Sequence, residues 1–167
     1  MSLRERVQTD IAVAMRGGDA LRRDVLRMAI NAAYNLEKRN RQPLSEDEFL
    51  AVLTREVKTR RESVDAFSSA GRDDLASRER AEIDILTEYL PAALSETELG
   101  ALVDEGIAAT GASSARDLGK VMGWLAPRTR GRADGKLLSG LVARALAQAD
   151  LAAHDDGGGH DHTGRDG

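Results

Sequence analysis

Along almost the whole of this 167-residue chain, apolar side chains recur every three or four positions, and glycines, prolines and polar capping residues fall between the periodic runs. That period gathers apolar groups on one face of an α-helix, whereas a half-buried strand needs strict alternation. The chain therefore reads as a succession of helices. Leu3, Val7, Ile11 and Met15 form the first stripe, which stops at Gly17-Gly18. Asp19 then offers an N-cap, because its carboxylate can accept from unpaired amides of the next turn. Leu21, Val25, Met28, Ala32 and Leu36 line a second helix that ends before Pro43. Ser45 and Glu48 make a capping box for a long third helix carrying Phe49, Leu50, Leu53, Val57, Val64 and Phe67, with Gly71 as its left-handed stop. A fourth helix begins near Asp73 or Asp74, carries Leu75, Ile83, Leu86 and Leu90, and is stopped by Pro91.

Four helices with short connections can enclose one core, so residues 1–91 are expected to form an N-terminal helical bundle or pair of hairpins. Beyond Pro91, a second capping box, Ser95 with Glu98, opens a helix through Leu99, Leu102, Val103 and Ile107. Ser114 can cap another, carrying Leu118, Val121, Met122 and Leu125 as far as Pro127, and Asp134 can cap the last, with Leu138, Leu141, Val142, Ala145 and Leu146. Residues 92–149 are thus a small three-helix tail domain. Residues 150–167 hold almost no apolar side chains to offset their ordering entropy, and are expected to be a disordered acidic tail. The predicted fold class is all-α. Composition agrees, since only 3% of residues are aromatic and the chain is rich in Ala, Leu, Glu and Arg.

Zero cysteines exclude a disulfide framework, thiolate zinc sites and a cysteine nucleophile, and fit a reducing compartment. Met1-Ser2-Leu3-Arg4-Glu5-Arg6 has no signal-peptide core, and no apolar run is long enough to span a bilayer. The expectation is a cytoplasmic protein with no membrane partner. The formal net charge of -4 is unevenly spread. Residues 150–167 carry five acids against one base, which accounts for all of it, and the body is balanced. Within the body, Ser113 to Ala149 holds seven bases against two acids, a local net charge of +5.

Chemistry-bearing residues are few. His154, His160 and His162 all fall in the tail. Imidazoles beside carboxylates can chelate a transition metal, but nothing there fixes ligand geometry, so no metal site is expected. The folded body then lacks both His and Cys, which excludes Ser-His-Asp and Cys-His catalysis within it. Glu79, Glu82 and Glu88 fall near one face of the fourth helix with Asp84 offset, and paired carboxylates can act as acid and base when burial separates their pKa values. They alternate with Arg78 and Arg80, the pattern of a solvated face carrying both signs, and the run Arg55 to Glu62 on the third helix reads the same way. No catalytic residue is assigned. No phosphate-binding glycine motif joins a strand to a helix. Gly131 to Lys136 leads into a helix whose cap, Asp134, would repel an anion, so no cofactor is expected.

The basic segment is more informative. Arg128, Arg130 and Arg132 lie within five positions on an expected loop, with Lys120 and Lys136 near in sequence. Guanidinium groups make paired hydrogen bonds to phosphate oxygens, which suits an RNA. An exposed solubilising loop has the same composition, and composition does not separate the two. Trp124, the sole tryptophan, precedes this loop and is expected in the small domain's core in preference to stacking on a base.

Several short motifs run along the body: Val57-Lys58-Thr59-Arg60-Arg61-Glu62-Ser63, Ala70-Gly71-Arg72-Asp73-Asp74-Leu75-Ala76, Glu82-Ile83, Glu88-Tyr89-Leu90-Pro91, Leu94-Ser95 and Thr110-Gly111-Ala112-Ser113. Gly119-Lys120-Val121-Met122 and Gly131-Arg132-Ala133-Asp134-Gly135-Lys136 complete them. In this order the sequence resembles the GatB/YqeY family in its short stand-alone form, over residues 1 to about 149. The related region closes the B subunit of the amidotransferase that converts glutamate or aspartate, mischarged on tRNA, to its amide. The resemblance implies an all-helical first domain, a three-helix tail domain facing RNA, and packing or turn roles for Gly119, Val121, Met122, Gly131, Ala133 and Asp134. The connection from Met122 to Gly131 departs from the subunit, and the subunit's catalytic cradle has no equivalent here. The expectation is a non-catalytic tRNA-binding accessory protein contacting tRNA or another structured RNA through Lys120, Arg128, Arg130, Arg132 and Lys136. The alternatives are a module docking on an amidotransferase or aminoacyl-tRNA synthetase, or a component of a glutamine-dependent carbon-nitrogen ligase.

Overall fold

Helix starts in this chain are set by side chains that reach back to free backbone amides. A computed structural model describes residues 1–155, and among them are seven α-helices and no strand. They are α1 (Leu3–Gly17), α2 (Ala20–Asn40), α3 (Glu46–Ser69), α4 (Asp73–Thr87), α5 (Glu96–Thr110), α6 (Leu118–Thr129) and α7 (Gly135–Asp155), with a 3-10 turn at Ala115–Asp117. The protein is all-α. At the head of α3 the Ser45 hydroxyl accepts from the Glu48 amide at 3.2 Å, and the Glu48 carboxylate accepts from the Ser45 amide at 2.7 Å. Ser95 and Glu98 repeat the arrangement at α5, and Ser2 with Glu5 adds a third box, at α1, that sequence alone had not singled out. Asp19 caps α2 through the Arg22 amide at 3.0 Å. Gly71, at φ 71°, turns the chain out of α3, and the Arg72 amide bonds back to the Phe67 carbonyl at 2.8 Å.

The chain divides into two compact units, Met1–Ala92 and the residues from Ala93 onward. In the first, α1 to α4 enclose one core that includes Val7, Leu26, Phe49, Leu53, Val57 and Leu86. Burying each such side chain is worth roughly 1.5–3 kcal/mol. The buried face of α2 keeps Val25, with Leu21, Ala32 and Leu36 packed against the core, and extends to Leu26, Ala29 and Ala33, whereas Met28 is 53% exposed. Because α2 packs on α1, α3 and α4, small alanines face its closest neighbours and the long methionine is left outside. The same exchange on α1 buries Ala14 and exposes Met15.

In the second unit, α5, α6 and α7 pack around Leu99, Val103, Val121, Leu125, Val142 and Leu146. Two helix ends run past the expected stop. The helix expected to stop at Pro127 continues to Thr129. A proline in the last turn removes one amide hydrogen, and the carbonyl it would have served belongs to exposed Gly123, open to water. The hydroxyl of Thr129 donates to the Leu125 carbonyl at 3.0 Å and helps close that turn. At the other end, α7 runs on through Asp155, so Asp150 to Asp155 are helical, not part of a disordered tail. Ala149, Leu151, Ala152 and Ala153 are strong helix formers that the acidic average of the segment conceals. The expected disorder of the remaining tail, with His160 and His162, lies outside the described residues.

Candidate functional site

Two of the four candidate carboxylates of the first unit, Glu82 and Glu88, are held by arginines. Arg60, expected on a solvated face, is 5% exposed. Its Nε donates to Glu82 at 2.9 Å, and its Nη1 donates to the Glu56 carboxylate at 2.8 Å and to the Glu56 carbonyl at 3.0 Å. Burial opposes the Arg60 charge, but hydrogen bonds and charges from Glu56 and Glu82 outweigh it and raise the guanidinium's hold on its proton. Glu82 is correspondingly half-buried, with exposed Arg78 on its outer side at 3.7 Å. Charge pattern could not reveal this pair, because the partners stand on different helices, 22 positions apart.

Glu88 and Tyr89 close the far end of α4. Glu88 accepts from both terminal nitrogens of Arg22 at 2.8 Å, and the Arg22 hydrogen bond holds its carboxyl below the usual range. The buried Tyr89 hydroxyl donates to Asp10 at 2.5 Å, and Arg6 lies over the ring at 4.8 Å. Burial, then the Asp10 hydrogen bond, pushes the phenol up to about 12. Neither Glu82 nor Glu88 is therefore a free acid or base; each ties one helix to another.

The second unit carries the cationic residues. Arg128 stands in the last turn of α6, not in a loop, and its guanidinium lies over the Trp124 ring at 3.7 Å while Nη1 donates to the Trp124 carbonyl at 2.6 Å. Trp124 is half-buried against the core of this unit. Its benzo edge rests on Gly106 of α5, where an added Cβ would stand 3.0 Å from Cε3. Arg130 follows as an exposed residue in extended backbone. The chain then turns at Gly131, with the Arg132 and Ala133 amides both bonding to the Thr129 carbonyl, at 2.9 and 3.1 Å. Arg132 is half-buried, its carbonyl accepts from the Leu94 amide at 2.9 Å, and its charge acts on Glu98. Asp134 caps α7 by accepting from the Lys136 amide at 3.2 Å, and the Lys136 side chain is exposed. Lys120 is placed apart from these, in the first turn of α6, 3.8 Å from Asp117. The α6–α7 turn thus gathers Arg128, Arg130, Arg132 and Lys136 and does not include Lys120.

These motif residues fall in both units, and so does the match to known sequences: the family of YqeY-like proteins matches residues 4–146. The chain belongs to the YqeY-like family. Altered inheritance of mitochondria protein 41, mitochondrial, of Pyrenophora tritici-repentis is 29% identical over 132 residues, which covers 77% of this chain and 71% of that protein. The protein of the same name from Eremothecium gossypii is 32% identical over 102 residues, 59% of this chain and 55% of its own length.

Two further surfaces of this YqeY-like chain bear on function. Val13, Met15, Met28 and Tyr34 are each more than half exposed, but Val13 and Met15 are two positions apart and Met28 and Tyr34 six. At about 100° per residue neither pair shares a helix face. Neither helix therefore carries an exposed apolar stripe of its own. Among the described residues no group of three or more His, Asp or Glu side chains is placed to hold a metal ion, and no helix is long and apolar enough to cross a membrane.

Proposed function

We propose that this YqeY-like chain is a non-catalytic RNA-binding accessory protein whose ligand is tRNA, held by the second unit. The observation that carries this is the cationic α6–α7 turn, where Arg128, Arg130 and Lys136 are exposed within nine positions. Backbone hydrogen bonds at Thr129 and Asp134 hold that turn, so its charges meet phosphate with less ordering cost than a loose loop would. The resemblance to the tRNA-facing end of the amidotransferase B subunit supports the same ligand. Glu82 and Glu88 are committed to Arg60 and Arg22, so amidation, in this scheme, belongs to a partner amidotransferase or synthetase. The site of action is the cytoplasm, a reducing compartment in keeping with a chain of zero cysteines. Recovery of the tagged chain in mitochondria, the compartment in its relatives' names, would reassign it.

The test is filter binding of purified tRNA to the full chain and to a variant with Arg128, Arg130 and Lys136 all changed to Glu. Arg132 is left intact because its charge acts on Glu98. Affinity should fall by roughly tenfold or more at physiological salt, with unchanged circular dichroism. Equal affinity would remove this turn from the binding site.

A further inference from the structure

The geometry points to an unpaired nucleobase as the group that seats on the outer face of Arg128, with Trp124 backing the guanidinium from beneath. This rests on the RNA reading above and narrows it: the second unit takes the single-stranded parts of an RNA, not its stems.

Arg128 is held in place for a flat ligand by its own surroundings. Its Cζ lies over the indole at 3.7 Å from the ring centroid, a separation typical of stacked planes, and the 2.6 Å hydrogen bond to the Trp124 carbonyl fixes the side chain over the ring. The indole in turn is backed by Gly106, where even a methyl group would crowd its benzo edge at 3.0 Å, so the platform has a rigid floor. Arg128 is exposed, which leaves the second face of the guanidinium open to solvent. Its partners among the described residues are a ring and a backbone carbonyl, neither of which neutralises its charge.

A planar cation with one face covered and the other open is a stacking surface for a flat ring, and every nucleobase has such a face. A phosphate would engage the guanidinium's edge and would gain nothing from the indole below. Arg130 and Lys136 supply charge for the phosphates on either side. Bases inside a duplex are already stacked on one another and cannot offer a face, which is why the site selects loops and single-stranded ends.

The test compares the full-length protein with its Arg128→Lys variant, which keeps the charge and loses the plane. Each is titrated into a labelled single-stranded RNA dodecamer of mixed sequence and into the same RNA annealed as a blunt duplex. The wild type should prefer the single strand, and Arg128→Lys should weaken that binding by roughly tenfold while leaving duplex affinity and its salt dependence in place. Lys136→Ala should weaken both ligands alike. Arg128→Lys binding both RNAs as the wild type does would overturn the stacking site and leave the RNA reading standing, as would a wild type with no preference for the single strand. A wild type that binds neither RNA overturns both. Because Arg128 is exposed, circular dichroism of the variant should be unchanged; if it is not, Arg128→Gln repeats the comparison, and loss of single-strand preference is again required.

Discussion

Removing the carboxylate of Glu82 should destabilise the first unit far more than removing its partner Arg60. Arg60 is 5% exposed and cannot shed its proton, so in Glu82→Ala a buried cation loses one of its two carboxylates. A hydrogen bond to a charged group contributes about 1.5–3 kcal/mol, and stranding a buried charge costs about 3–5 kcal/mol. Glu56 still holds Nη1 at 2.8 Å, so the expected loss is near the lower end, about 2–3 kcal/mol. In Arg60→Met the aliphatic stem is retained, and the two carboxylates left behind, 12% and 21% exposed, reach water. That substitution should cost about 1 kcal/mol or less. The assay is urea unfolding of the full chain followed by far-UV circular dichroism. The double variant R60M/E82A should be more stable than E82A, because the stranded charge is gone. Arg60→Met costing as much as Glu82→Ala, or a double variant as unstable as the two losses added, would mean that a stranded Arg60 charge is not what destabilises Glu82→Ala.

Glu37 is pulled to about 2 from 4.5, first by its hydrogen bond from Arg4 and then by the Leu44 amide. A depressed carboxyl stabilises the fold above its unfolded pKa, so stability should fall as pH drops from 4.5 toward 2, and Glu37→Gln should flatten that part of the acid-unfolding curve. Tyr89 is raised from 10 to about 12, chiefly by burial and then by Asp10. Its contribution is therefore complete below pH 10 and lost on rising through 12, and Tyr89→Phe should remove this alkaline limb and cost about 1 kcal/mol at neutral pH by chemical denaturation. Gly106→Val should push Trp124 from its seat, shifting the emission of the single tryptophan and lowering stability by roughly 1–3 kcal/mol.

Much of this architecture was legible because helix termini are local chemistry. Ser45 with Glu48, Ser95 with Glu98, Asp19, Gly71 and Asp134 each act on backbone within a few residues, and all do so as their spacing indicates. That α2 buries Ala29 and Ala33 and leaves Met28 outside was not legible, since alanines count little toward hydrophobic periodicity yet are what closely packed neighbours accept. Arg60 and Glu82 looked like surface charges because pairing across helices leaves no mark on either helix's own spacing. Four of the cationic residues lie along the α6–α7 connection, as their sequence positions indicate, but the helical setting of Arg128 and its contact with Trp124 depend on α6 passing through Pro127.

The proposed phosphate contacts of the α6–α7 turn require tRNA affinity to fall steeply as salt rises. Plotted as log affinity against log salt, full-length chain should give a slope of about -2 to -4, as expected for about three or four neutralised phosphates. Changing Arg130 and Lys136 together to Ala should reduce that slope by about 1 to 2. A flat plot, or a slope that the double substitution leaves untouched, would contradict phosphate contact at this turn.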